Sequence, residues 1–304
     1  MAEAVIRVAG LRKAYGDVEA VRGVDLAVQR GEVFAFLGPN GAGKTTTVEI
    51  LEGFRERDAG EVEVLGADPA VAGRDWRQRI GVVLQESEVP ELLTVRESLE
   101  LFAGYFERPR AIAETIGLVG LEPQADQRAG KLSGGQRRRL DVALALVGSP
   151  ELLFLDEPTT GFDPAARRAA WVVIEGLREL GTTILLTTHY LEEAERLADR
   201  VAIINDGRIV AEGPPEEIGG DERRISRIRF RAPGAELPDG LAARDGWVEL
   251  RTATPVADLA RLCGWATECG VDLPDLEVVR PSLEDVYLEL TAPDHSAATR
   301  SAPQ

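Results

Sequence analysis

Short, wholly apolar runs alternate along the chain with amphipathic stretches. Val33 to Leu37, Ile80 to Leu84, Leu152 to Leu155 and Thr183 to Thr187 are too short for core helices and apolar on both faces, which predicts strands buried on both sides. Pro164 to Leu180 and Leu191 to Asp199 carry helical periodicity between them. That alternation belongs to an α/β domain with a largely parallel sheet. A β-rich opening precedes it, Val5 to Val8 and Ala20 to Val28, and Asn205-Asp206-Gly207 between two apolar runs predicts a closing hairpin. Gly213-Pro-Pro-Glu-Glu-Ile-Gly-Gly220 reads as a boundary. Beyond it, strand-like Ile225 to Arg231 and Trp247 to Arg251, a helix with Val256, Leu259, Cys263 and Ala266 at helical spacing, a strand near Leu276 and a helix from Ser282 predict a small α+β unit. The expected division is 1–215, a linker at 216–223, a second unit at 224–291, and a disordered Ser, Ala and Pro rich tail at 292–304.

Composition narrows the class. With 304 residues, 44% hydrophobic and 29% charged, the chain can bury a full-sized core plus a smaller one. Apolar runs end after a few residues, so no segment is predicted to span a bilayer, and the N-terminus has neither the basic flank nor the apolar core of a secretory signal. The expectation is a cytosolic protein. A net charge of −17 disfavours general affinity for nucleic acid or an anionic membrane. Cys263 and Cys269 fit no zinc or redox spacing and are expected to act as small apolar side chains.

Chemistry enters at residues 38–46. Gly38-Pro39-Asn40-Gly41-Ala42-Gly43-Lys44-Thr45 fits G-x-x-x-x-G-K-[ST] and stands between a predicted strand and a predicted helix, the context of a P-loop. The glycines let backbone N–H groups of about Gly41 to Thr46 turn toward the β- and γ-phosphates of a nucleoside triphosphate, where the following helix presents its positive end. Lys44 offers a point charge to the phosphates, and Thr45 a hydroxyl to Mg²⁺. Only three residues of the chain are lysine, so its use here rather than arginine supports the reading.

Two carboxylates, Asp156 and Glu157, end the apolar strand Leu152 to Leu155, at the edge where open α/β sheets gather ligands. Asp156 is the candidate for the Mg²⁺ sphere, Glu157 for polarising the attacking water. Gln85 closes another strand, where an amide suits either Mg²⁺ or the water. His189 closes a fourth and is the candidate γ-phosphate contact; with His295 as the other histidine, triad and His-metal chemistry lack material.

The segment Lys131-Leu-Ser133-Gly134-Gly135-Gln136 resembles the LSGGQ signature of ATP-binding cassette (ABC) ATPases. Ser133 and Gln136 also form a capping box, while the paired glycines let a bare helix N-terminus approach a ligand. The other family motifs follow in order over residues 4 to 215: Tyr15 is similar to the aromatic that stacks on adenine, Gln85 to the Q-loop, Gly161-Phe162-Asp163 to the D-loop with phenylalanine in place of leucine, and His189 to the H-loop. The alternative for Tyr15 is a half-buried strand aromatic. The resemblance implies a P-loop α/β fold with an antiparallel β subdomain, a helical subdomain at about 86–148, and a dimer that sandwiches two ATP between one chain's P-loop and the other's signature.

One cassette without a coiled-coil insertion points to a transporter subunit rather than an ABC ATPase acting on ribosomes or DNA. Arg280-Pro-Ser-Leu-Glu-Asp-Val-Tyr-Leu-Glu-Leu290 resembles the closing segment of ABC-2-type exporters, including the daunorubicin-resistance class. Ser282 also reads as an N-cap, and Val286 and Leu290 as a core stripe. The resemblance implies export of a drug, lipid or polymer through separate ABC-2-type permease subunits at the inner face of the cell membrane, with no specific nucleic-acid partner, and two intact-looking half-sites on one chain favour a homodimer.

Overall fold

A computed structural model of the chain describes residues 3–84, 89–220, 225–235, 237–238, 240–279 and 282–291. Gln85, Arg280, Pro281, part of the expected linker and the expected tail lie outside them. The chain divides into two compact units, Met1–Pro215 and Glu216–Gln304.

In the first unit, β1 (Ala4–Tyr15) and β2 (Val18–Gln29) make a long antiparallel hairpin, and β4 (Ala59–Val64) pairs with the other edge of β1, giving the order β2-β1-β4. The central sheet comprises β3 (Val33–Leu37), β5 (Ile80–Val83), β6 (Leu152–Asp156), β7 (Thr183–Thr188), β8 (Arg200–Asn205) and β9 (Arg208–Gly213), in the order β5-β6-β7-β3-β8-β9. Its pairs are parallel except β8 with β9, where Asp206 and Gly207 form the tight turn in left-handed backbone, φ 47° and 75°. The parallel strands are buried on both faces, which is why they read as continuous apolar runs. Phe34, Phe36, Phe154, Leu185 and Ile204 pack with Ile6, Leu11, Val24 and Leu26 of the hairpin and with Ile50 and Leu51 of α1 (Lys44–Leu51), joining both sheets in one core.

Trp76, in the short α2 (Arg74–Arg77), anchors the region by donating its indole N–H to the Val64 carbonyl at 2.8 Å. A helical segment follows, with α3 (Val95–Ala103), α4 (Ile112–Leu118) and α5 (Gly134–Leu146). Capping boxes start α3 and α5: Thr94 with Glu97, and Ser133 with Gln136. Helices α6 (Pro164–Glu179) and α7 (Leu191–Leu197) complete the unit.

The second unit contains β10 (Ser226–Arg231), β11 (Ala243–Arg244), β12 (Trp247–Thr252), α8 (Pro255–Cys269), β13 (Glu277–Val279) and α9 (Leu283–Thr291), with its sheet in the order β11-β12-β10-β13. Leu262 packs on Ile228, Phe230 and Val248. The expected apolar stripe of α8 is corrected here: Leu259, Leu262 and Ala266 face the sheet, while Val256 and Cys263 are exposed, as is Cys269. At 100° per residue, 256 and 263 sit beside the 259–262–266 stripe rather than on it. Ser282 and Asp285 exchange capping bonds at the start of α9.

Candidate active site

Four neighbouring strands, β5, β6, β7 and β3, release their chains at the same carboxyl edge. Register places Leu155 beside Val83, Asp156 beside Thr187, and Leu37 beside Thr188. With neighbouring strands about 5 Å apart, the segments that begin at Gly38, Asp156 and His189 are forced into one small region.

The loop 38–43 is built for close backbone approach. A side chain at Gly38 would meet the Ile204 carbonyl at 2.4 Å, and Gly43, at φ 104°, has the Ala20 carbonyl 2.4 Å from where a Cβ would stand. The hairpin tip holds the loop: Gly207 N–H donates to the Ala42 carbonyl at 3.0 Å. Helix α1 starts at Lys44 with no side-chain cap, so its first N–H groups face the loop. The buried Lys44 ammonium donates to the carbonyls of Gly38 at 2.6 Å and Pro39 at 3.1 Å. Burial lowers its pKa, and the charges of Glu157 and Asp156 oppose that shift, which places both carboxylates in its field. Thr45 is exposed at the mouth.

Thr187 organises the carboxylates. Its hydroxyl donates to Asp156 Oδ1, and Glu157 N–H reaches both its carbonyl and its hydroxyl at 3.1 Å. Glu157 turns out of the strand in left-handed backbone, φ 45°. One of its carboxylate oxygens accepts from the Thr160 hydroxyl at 2.9 Å, and the other stands 3.3 Å from His189 Nδ1. The structure therefore brings Lys44, Asp156, Glu157 and His189 together.

Other candidate residues lie apart. Tyr15 ends β1, half exposed, with Arg55 5.3 Å and Lys13 5.8 Å from its ring centre. Ser133, Gly134, Gly135 and Gln136 open α5, and Asp163 caps α6 through bonds to the Ala165 and Ala166 N–H groups at 2.9 and 2.8 Å. Among the described residues, none of these six makes a hydrogen bond to the P-loop or to the Asp156 and Glu157 side chains.

Thr187, Thr160 and Arg138 escaped the motif reading. Thr187 carried one weak signal, a hydroxyl at the end of an apolar strand. Glu52 is another: it is buried just after α1, and burial, then the charges of Asp156 and Glu49, push its carboxyl up to about 8. Among the described residues no three or more His, Cys, Asp or Glu side chains cluster as a metal cage. Asp156 and Thr45 fit instead a hard cation whose remaining ligands come from phosphate and water.

Comparison with known proteins identifies the family. The family described as ABC transporter matches residues 21–160, and a C-terminal domain described as ABC transporter domain-containing protein-like matches residues 226–282. A daunorubicin resistance ATP-binding protein of Streptomyces coeruleorubidus is 41% identical over 94% of this chain and 94% of its own length. A Nod factor export ATP-binding protein of Burkholderia orbicola is 42% identical over 96% of this chain and 98% of its own. Among solved structures, cbiO1 from Clostridium perfringens, part of an ABC transporter complex, superposes with a TM-score of 0.66 at 28% identity, covering 72% of this chain and 92% of that one. An ATP-binding cassette solved as a dimer in a post-hydrolysis state with ADP and Pi gives 0.62 at 26% identity, covering 69% of this chain and 98% of that one.

Proposed function

The chain belongs to the ABC transporter ATP-binding proteins, which are ATPases, and from that membership we propose that it drives export through a separate membrane permease by closing as a dimer on two ATP molecules. The observation that carries the reading is the convergence of Lys44, Asp156, Glu157 and His189 at four adjacent strand ends.

In this reading Lys44 leaves the carbonyls of Gly38 and Pro39 for the phosphates, which the backbone N–H groups of Gly41, Ala42, Gly43, Lys44, Thr45 and Thr46 also receive, while Gly38, Pro39 and Asn40 shape the loop around them. Thr45, Asp156 and Gln85 would hold Mg²⁺, which when bound would supply charge neutralisation at the phosphates. Glu157 orients the attacking water, with Thr160 and His189 fixing its two oxygens. Gln85, outside the described residues, is assigned to this site from its sequence position after the predicted strand Ile80 to Leu84, and Tyr15 stacks on adenine. The turn Ser133 to Gln136, with the α6 end capped by Asp163, completes the partner chain's site.

The names of the relatives favour an exporter, and we extend that to a cargo of drug, lipid or polymer class, an ABC-2-type permease and a homodimer at the inner face of the membrane. Among the described residues no helix is long and apolar enough to cross a membrane, so the pathway is assigned to the permease. Affinity purification of the chain from native membranes tests this. A co-purifying integral-membrane protein whose deletion abolishes export is expected; ribosomes or DNA without a membrane protein contradict the proposal.

A further inference from the structure

Three consecutive arginines in α5 take three different environments. Arg137 reaches Glu91 at the surface at 3.7 Å, and Arg139 donates to the Gly120 carbonyl at 2.9 Å. Arg138 turns inward and is 9% exposed. One terminal nitrogen donates to the Leu84 carbonyl at the end of β5, the other to the Asp156 carbonyl at 2.6 Å with a longer reach to Glu157 at 3.4 Å, and Nε donates to the Pro158 carbonyl at 3.3 Å. A planar fork of five N–H groups can serve several carbonyls at once; an ammonium cannot match that geometry. Burial lowers the pKa of Arg138, and the charges of Asp141, Asp156, Glu157 and Glu193 oppose that loss.

What Arg138 grips is the backbone of the two working carboxylates. A positive φ at Glu157 is unusual for a side-chain-bearing residue and persists only where its surroundings over-determine it. The N–H of Glu157 is held by Thr187, and the carbonyls of Asp156, Glu157 and Pro158 are held by Arg138. The next turn is fixed in the same way, since Thr159 Oγ1 and Trp171 Nε1 donate to one oxygen of the buried Glu193, at 2.9 and 3.0 Å. Arg138 stands five residues along α5 from Ser133, about 7.5 Å of rigid helix at 1.5 Å per residue.

We infer that Arg138 is a positioning residue that couples the signature turn of α5 to Glu157 of the same chain. The first turn of the helix closes on the nucleotide held by the partner, while its second grips the base that serves the chain's own nucleotide. Occupation of one site thereby sets the hydrolytic geometry of the other. The inference rests on the sandwich-dimer reading above, and it assigns the coupling to one guanidinium.

Steady-state ATPase of the purified full chain against ATP concentration tests it, with thermal unfolding as the check on folding. The wild type is expected to respond sigmoidally, with a Hill coefficient approaching ~2 for two coupled sites. Arg138→Met should lower kcat about tenfold or more, leave KM within about threefold and bring the Hill coefficient to about 1, because an interaction that positions the base acts on turnover rather than on binding. Arg138→Lys, which keeps the charge without the fork, should recover part of both kcat and the Hill coefficient. A folded Arg138→Met with wild-type kcat and Hill coefficient overturns the inference; so does a parallel loss of kcat and KM that lysine does not relieve. If the methionine variant does not fold, Arg138→Lys decides: a reduced Hill coefficient at unchanged KM supports the coupling, and a wild-type response overturns it. The Glu157→Gln chain separates the two levels. If it fails to dimerise on ATP, the sandwich reading falls; if it dimerises and the wild-type Hill coefficient is about 1, only the coupling falls.

Discussion

His189 Nδ1 stands 3.3 Å from a carboxylate oxygen of Glu157, each residue following the last position of one of two adjacent parallel strands. The contact joins the candidate γ-phosphate sensor to the candidate base. His189→Ala should lower kcat on the order of 100-fold with KM within about threefold, the range expected for loss of a positioned proton-transfer group or its orienter. A steady-state ATP titration measures it, and a kcat within twofold of wild type removes His189 from the chemistry.

Glu52 gives stability a pH dependence. An unfolded glutamate titrates near 4.5, whereas Glu52 in the fold holds its proton up to about 8, so the folded state binds more protons across that window and stability falls as pH rises through it. Glu52→Gln, neutral throughout, should gain stability over the wild type progressively from about pH 4.5 to 8 and then level off, by on the order of a few kcal/mol. Denaturant unfolding of the nucleotide-free chain at pH 5 and 8.5 tests this; parallel pH profiles for the two proteins would mean Glu52 is ionised in the fold.

Tyr15 is 42% exposed, with Arg55 and Lys13 near its ring, so the aromatic face is presented rather than buried in the core. Tyr15→Ala should weaken ATP binding about 10-fold, in line with ~1–3 kcal/mol for base stacking on an aromatic, while Tyr15→Phe stays near wild type. Calorimetric titration separates the two, and equal affinity in the alanine variant returns Tyr15 to a strand-end packing role.

Gly43 combines φ 104° with a backbone carbonyl 2.4 Å from a potential Cβ. Gly43→Ala should destabilise the first unit by about 2 kcal/mol or more and abolish tight ATP binding, since strain and overlap both fall on the phosphate loop. Urea unfolding within about 0.5 kcal/mol of wild type is inconsistent with this account.

The phosphate loop was legible because its parts are local: an apolar strand, glycines and a helix within twenty residues suffice to define it. The parallel sheet was legible for a similar reason, each buried strand being an unbroken apolar run. The extent of the hairpin at the N-terminus was not, since β1 and β2 alternate polar and apolar residues and are interrupted by register shifts. Contacts that join distant segments were hidden altogether. Thr187 reaches Asp156 and Glu157 across thirty residues because β6 and β7 are neighbours, and Arg138 meets four carbonyls because α5 folds back over the same strand ends. Neither fact has a signature in spacing. The apolar stripe of α8 was misplaced by one position, since Leu262 and Cys263 both lie within helical spacing of Leu259 and Ala266, and only packing on Ile228 and Phe230 selects Leu262.

The central claim is that Glu157 orients the water in a site completed by a second chain. Light scattering with parallel phosphate-release measurements on the Glu157→Gln variant in Mg-ATP tests it most directly. The account predicts a stable dimer that retains two ATP and turns over at less than about 1% of the wild-type rate, because the substitution removes the base while leaving nucleotide binding intact. A monomer in saturating ATP, or hydrolysis near the wild-type rate, contradicts it.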